Sequence, residues 1–112
     1  MTDITIKKDD LLPVFKATLL EGTSSVDLST GTDSINFYMR NKITGELKIT
    51  AGSMNFNTDG SDGIVEYTWA SGNTNTVSDY EAEIIVTWTA DSKEQTFPND
   101  KNITLSIIED VE

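Results

Sequence analysis

At 112 residues and 12.3 kDa the chain has the size of one domain with a single core. Nineteen acidic against eight basic residues give a net charge of −11, which repels phosphate backbones and argues against nucleic-acid binding. With no cysteine and no histidine, disulfides, thiolate or imidazole metal sites and serine–histidine triads are all excluded.

The opening stretch, MTDITIKKDDLLPVF, has no apolar run long enough for a signal peptide. No later stretch approaches the roughly 18 apolar residues of a membrane span, so a soluble protein made inside a cell, without membrane contact, is expected. Sixteen threonines, eleven isoleucines and six valines favour pleated, half-buried surfaces, and period-two alternation bears this out along the chain. Ile4 and Ile6 share a face. Phe15, Ala17 and Leu19 share another, with Lys16 and Thr18 between them. Ile35, Phe37 and Met39 alternate with Asn36, Tyr38 and Arg40; Leu47 and Ile49 alternate with Lys48 and Thr50; Met54 pairs with Phe56. Val65, Tyr67 and Trp69 follow, then Tyr80, Ala82, Ile84, Val86 and Trp88 opposite Glu81, Glu83 and Thr87, and last Ile103, Leu105 and Ile107. Glycines fall between the runs, Pro13 precedes a strand and Pro98 follows one. The reading is a single all-β domain over residues 1–112: an immunoglobulin-like antiparallel β-sandwich of eight or nine short strands, with no disulfide and no helix longer than one turn.

In SDYEAEIIVTW, residues 78–88, Tyr80 matches the tyrosine that begins strand F of such sandwiches and ties its hydroxyl back to upstream backbone. Ala82 takes the place of the second disulfide cysteine, and Trp69 or Trp88 is expected to pack the core instead.

The most tempting site is NFNTDGSDGIVE, residues 55–66. Asn55, Asn57, Asp59, Gly60 and Glu66 match the spacing of a calcium loop, except that the first ligand is Asn. Asp62 stands where an apolar residue is usual, and strands rather than helices flank the loop. Turn chemistry explains the same letters, and weak calcium binding by Asp59, Asp62 and Glu66 is the competing reading. Glu81 and Glu83 share an outward strand face without a cleft, and the adjacent Asp9 and Asp10 diverge, so neither pair suits glycosidase-type chemistry. No catalytic, cofactor-binding or metal residue is assigned. Trp69 and Trp88 fall in phase with inward faces, which favours core over a sugar-binding platform; Tyr38 is the ring expected outside. Leu20, Ile64, Ile85 and Ile108 are out of phase, and if clustered would form a docking patch.

One ordered set of segments is more specific than any of these signals. DLLPVFKATLL (10–20), VDLST (26–30), INFYMRNKITGELK (35–48), GIVEYTW (63–69), SGNTNTVSDYEAEIIVTW (71–88) and QTFPND (95–100) succeed one another along nearly the whole chain. This set resembles the N-terminal domain of the BppU family of phage baseplate upper proteins, above all in its G-x-V-x-Y-x-W block followed by T-F-P-N. The resemblance implies an immunoglobulin-like module that is a structural part of a virion, attaching receptor-binding or fibre components to the tail-tip core without catalysing a reaction. Its partners would be other phage structural proteins, with several copies or a homo-oligomer in each particle. Full adaptors of the family continue past the sandwich, whereas this sequence stops at Glu112, so a stand-alone module or a different docking role is expected. Asn73 stands where the family tends to place Asp, and Ser78 where it tends to place Gly; both changes touch turns and should spare the fold. The first strand, around Ile4 and Ile6, and the acidic end from Glu109 to Glu112 are expected to reach outward as arms. The other class of function in view is a carbohydrate- or cell-surface-binding module, which needs exposed aromatic rings.

Overall fold

The computed structural model describes residues 4–12, 14–56, 58–90, 92–97 and 103–109. Within them the chain forms strands β1 (Ile4–Lys7), β2 (Phe15–Thr18), β3 (Leu20–Glu21), β4 (Ser24–Ser25), β5 (Thr32–Asn41), β6 (Leu47–Ser53), β7 (Asn55–Phe56), β8 (Ile64–Tyr67), β9 (Ser78–Trp88), β10 (Glu94–Phe97) and β11 (Ile103–Ile108), and no helix. The larger sheet runs β1-β11-β9-β5-β6, with β10 also on β9; the smaller runs β2-β8-β7, and β3 and β4 form a hairpin. The two larger sheets enclose one core in a sandwich-like, all-β globule.

Alternation decides which residues enter that core. On β9, Tyr80, Ala82, Ile84 and Val86 are buried while Glu81, Glu83 and Ile85 are half-buried on the other face. Ile103, Leu105 and Ile107 on β11, and Ile35, Phe37 and Met39 on β5, flank them from either side. The smaller sheet contributes Phe15, Val65 and Tyr67, and the connections add Leu19, Leu28 and Trp69. The aromatic rings meet at the centre: Phe37 lies 4.8 Å from Phe15 and 4.9 Å from Tyr67, and Trp69 sets its edge against Tyr67 at 5.5 Å. Such pairs add about 0.5–1.5 kcal/mol each beyond area burial. Of the two tryptophans, Trp69 belongs to this cluster; Trp88 packs only partly against the core.

Four expectations are corrected. The larger sheet is mixed rather than antiparallel, because β1 pairs parallel to β11 (Ile4↔Leu105 to Lys7↔Ile108). A parallel pair needs a long crossover, and here the intervening domain is the crossover. Eleven strand segments replace eight or nine, since β3, β4 and β7 are two-residue ladders and β10 and β11 occupy successive stretches beside β9. Leu47 does not share the buried face of Ile49: a bulge shifts the register between Met39↔Ile49 and Arg40↔Leu47 and turns Leu47 out to solvent. The first strand is no arm, since Ile6 is buried and β1 lies within the sheet. Pro13, Pro98 and the tail residues 110–112 lie outside the described residues.

Candidate functional site

Tyr80 is wholly buried and its hydroxyl donates to the Thr76 carbonyl at 2.8 Å, the upstream tie expected of it. Burial raises its phenol pKa, as it does for Tyr67. Tyr67 donates to Asn73 Oδ1 at 2.9 Å, and the same oxygen accepts the Ala70 N–H at 2.7 Å. The Asn73 amide oxygen thus holds the turn from Ala70 to Asn73 and anchors the Tyr67 hydroxyl. Next to it, buried Thr74 donates its hydroxyl to Asp10 O at 2.9 Å and its carbonyl accepts the Asp9 N–H, latching the β1–β2 connection to the β8–β9 connection.

The calcium-type spacing folds as a turn. Asp59 Oδ1 accepts from the Ser61 N–H at 2.9 Å and the Ser61 hydroxyl at 2.6 Å. Asp62 accepts from Ile64 N at 3.1 Å and from the Thr58 hydroxyl at 2.9 Å. Glu66 lies farther along β8, opposite Lys16 at 3.6 Å, and Asn57 is outside the described residues. A second loop repeats the device: Asp27 Oδ1 accepts from Ser29 N and Oγ at 2.9 and 2.6 Å. In both loops the serine hydroxyl, then its N–H, holds the aspartate pKa below the usual value. Among the described residues no three acidic side chains converge as metal ligands would.

On the outer face of the larger sheet, Arg40 pairs with Glu81, its Nε donating at 3.1 Å, and Tyr38 stands half-exposed opposite Glu83. That ion pair raises the guanidinium pKa further. Glu81 is therefore a paired carboxylate on the outer sheet face. The aromatic expectations divide. Trp69 is buried, whereas Trp88 borders a shallow hollow with Lys93, Glu94 and Gln95 and donates Nε1–H to Gln95 Oε1 at 3.3 Å.

The out-of-phase aliphatics do not form one patch. Leu20 and Ile64 line a cleft of about 380 Å³ with Ile4, Ala17 and Ile103, between the free edges of β1 and β2. Ile85 lies on the outer sheet face between Asn36 and Thr96, and Ile108 lies at the far end of β11. Strand phase also missed a set of exposed residues: Leu11, Leu12, Ile43 and Val77 sit in connections, and all four are open to solvent. Their only signal in the sequence is an aliphatic residue where turn chemistry needs none, as in NKITG. In comparisons with known proteins, no family model matches the chain and no curated protein matches it in sequence.

Proposed function

We propose that the chain is a non-enzymatic structural module of a tailed-phage particle, of tail or baseplate type, assembling in several copies through protein–protein contacts. Its scaffold, on this reading, is an immunoglobulin-like sandwich. The order β11-β9-β5 facing β2-β8-β7 corresponds to strands G, F and C facing B, E and D, with β1 and β6 extending the first sheet at its two edges. Tyr80, two residues before Ala82 and tied to upstream backbone, fits the start of strand F.

The observation that carries the reading is where the resemblance-bearing residues lie. Val65, Tyr67 and Trp69 of the G-x-V-x-Y-x-W block and Phe97 of T-F-P-N are all core. The block's glycine is dictated by the same core: Gly63 has a φ of +74°, and a Cβ there would meet the Val26 carbonyl oxygen at 2.9 Å. A motif composed of core and turn residues specifies a scaffold, which suits a family whose members position other components. Of the two tryptophans, the carbohydrate-binding alternative keeps only Trp88, with half-exposed Tyr38 on another part of the surface, since Trp69 is enclosed.

Immunogold electron microscopy on purified virions from the source lysate tests the proposal. Label on the particle supports it, and the labelled position distinguishes tail tip from neck or head. Bare particles, with the protein left in the soluble lysate, refute it.

A further inference from the structure

β2 is the end strand of the smaller sheet, so only one of its two edges is used. It pairs with β8 at a constant register, Phe15↔Tyr67 to Thr18↔Ile64, and one step farther on Leu19 N donates to Gly63 O at 2.8 Å. Bonded positions alternate in an antiparallel ladder, so Phe15, Ala17 and Leu19 direct their backbone groups to β8. Lys16 and Thr18 direct theirs the other way, and no described residue takes these N–H and carbonyl groups. Beyond them lies the cleft of about 380 Å³, walled by Ala17, Leu20, Ile64, Ile4 and Ile103. An unpaired edge beside an apolar cleft suits an extended peptide, which finds main-chain bonds along the edge and room for every second side chain.

The other free edges are less suited. On β1, Lys8 N bonds Ile108 O and the Lys7 carbonyl accepts from Asp10 N, which leaves only Thr5 facing outward with both groups unclaimed. β6, at the opposite edge of that sheet, is broken by two register shifts, and β7 has two residues.

Charge narrows the occupant. Within two residues of those lining the cleft, the sequence places Asp3, Glu21, Asp62 and Glu66 against Lys16 and Lys101, and the whole chain carries −11. That balance repels a second copy and draws a basic segment. Lys16 itself stands on the edge, 3.6 Å from Glu66, so a lysine or arginine directly opposite it is disfavoured.

We infer that the β2 edge binds an extended, basic segment of a partner protein as a fourth, antiparallel strand of the smaller sheet. Added about 4.8 Å from β2, the segment exchanges both main-chain bonds with Lys16 and both with Thr18. Its residue opposite Ala17 points into the cleft and is aliphatic. The neighbours on either side point outward, a hydroxyl residue opposite Lys16 and a lysine or arginine opposite Thr18. This contact rests on the sheet order and the cleft alone, wherever the chain works.

The peptide acetyl-KVKITVK-amide is the probe: its central isoleucine faces Ala17, its third residue faces Thr18 and its fifth faces Lys16. Amide NMR of the full chain reads the contact. In the free chain the Lys16 and Thr18 amides should exchange with solvent at least about tenfold faster than those of Ala17 and Leu19. Peptide at about 1 mM should slow both by a comparable factor, shift Leu20 and Ile64, and lose its effect as salt rises. Methylating the third and fifth peptide nitrogens, which face β2, should weaken binding by at least about tenfold, whereas methylating the fourth, which faces away, should not. Thr18→Pro takes a donor from the open edge and none from the β8 ladder, and should weaken binding as much while the rest of the amide spectrum stays in place. Lys16 and Thr18 amides already slow in the free chain overturn the inference, as do amides unmoved by about 2 mM peptide or equal effects of the two methylations. Slowing with chain concentration alone would give the edge to a second copy and overturn it too.

Discussion

Gly52→Ala decides between a general rule and a particular contact. Gly52 lies on β6 opposite Phe37 and its φ is outside the left-handed region. At such a position alanine ordinarily stabilises by about 0.4–1 kcal/mol, because the unfolded chain loses freedom. Here, however, a Cβ would lie 2.6 Å from Cε1 of Tyr67, 3.2 Å from its Cζ and 3.0 Å from Cγ2 of Ile49. Reaching ordinary contact near 3.5–4 Å requires the Tyr67 ring to move by about 1 Å. That ring is held on three sides, stacked at 4.9 Å on Phe37, edged by Trp69 at 5.5 Å and hydrogen-bonded at 2.9 Å to Asn73. Overpacking of this kind costs about 1–3 kcal/mol, which outweighs the backbone gain.

The expected outcome is a net loss of about 1–2 kcal/mol, and a melting temperature lower by about 4–8 °C per kcal/mol at this size. Urea unfolding followed by tryptophan fluorescence should show a lower midpoint at unchanged slope. In a Tyr67→Leu background the penalty should shrink, giving a coupling of about 1 kcal/mol or more in the double-mutant cycle. A Gly52→Ala protein as stable as the parent, or more stable, refutes the close approach of Tyr67 to β6.

Three further outcomes are expected. Tyr80→Phe keeps the packed ring but loses the bond to Thr76 O, and should cost about 1 kcal/mol in urea unfolding; no measurable loss would show that the tie does not contribute. Asp27 and Asp59 have pKa values depressed on folding, so their stabilisation is present above the ordinary carboxylate value and is lost as pH falls through the folded values. Ser61→Ala should therefore raise the Asp59 midpoint in an NMR titration and flatten the acid limb of the stability curve, and an unmoved midpoint would contradict this cause. Because Asp59 and Asp62 accept hydrogen bonds from their own loop, calcium at about 5 mM should leave the melting temperature unchanged. A rise of more than about 2 °C would restore the calcium reading of that loop.

What the sequence made legible was burial. Period two writes itself directly into β9 and β11, where Tyr80, Ala82, Ile84 and Val86, then Ile103, Leu105 and Ile107, are enclosed as their spacing requires. Pairing was less legible, because partners come from distant parts of the chain: nothing local in ITIK specifies that it lies parallel to ITLSII. Bulges escaped for a related reason. Leu47 and Ile49 look like one face, but a register shift between Met39↔Ile49 and Arg40↔Leu47 turns them to opposite sides. The calcium spacing misled because the letters that ligate a cation also cap a turn, and the Ser61 and Ile64 amides claim the two aspartates.

The resemblance-bearing residues and the exposed aliphatics differ in what the fold asks of them. In the β5–β6 connection Asn41 Oδ1 accepts the amides of Ile43 and Thr44 at 2.8 and 3.2 Å, so the turn is built by Asn41 and backbone. The Ile43 side chain takes no part in it, and a serine or lysine would complete the same loop. The same holds for Leu12, which stands almost as far into water. An aliphatic side chain gains free energy only where water leaves it, at about 25 cal/mol per Å² removed. In this chain Ile43, 79% exposed, makes little of that gain. Ile43→Ser should therefore leave the urea-unfolding midpoint unchanged, and a loss of more than about 1 kcal/mol would show that the side chain takes part in the fold after all.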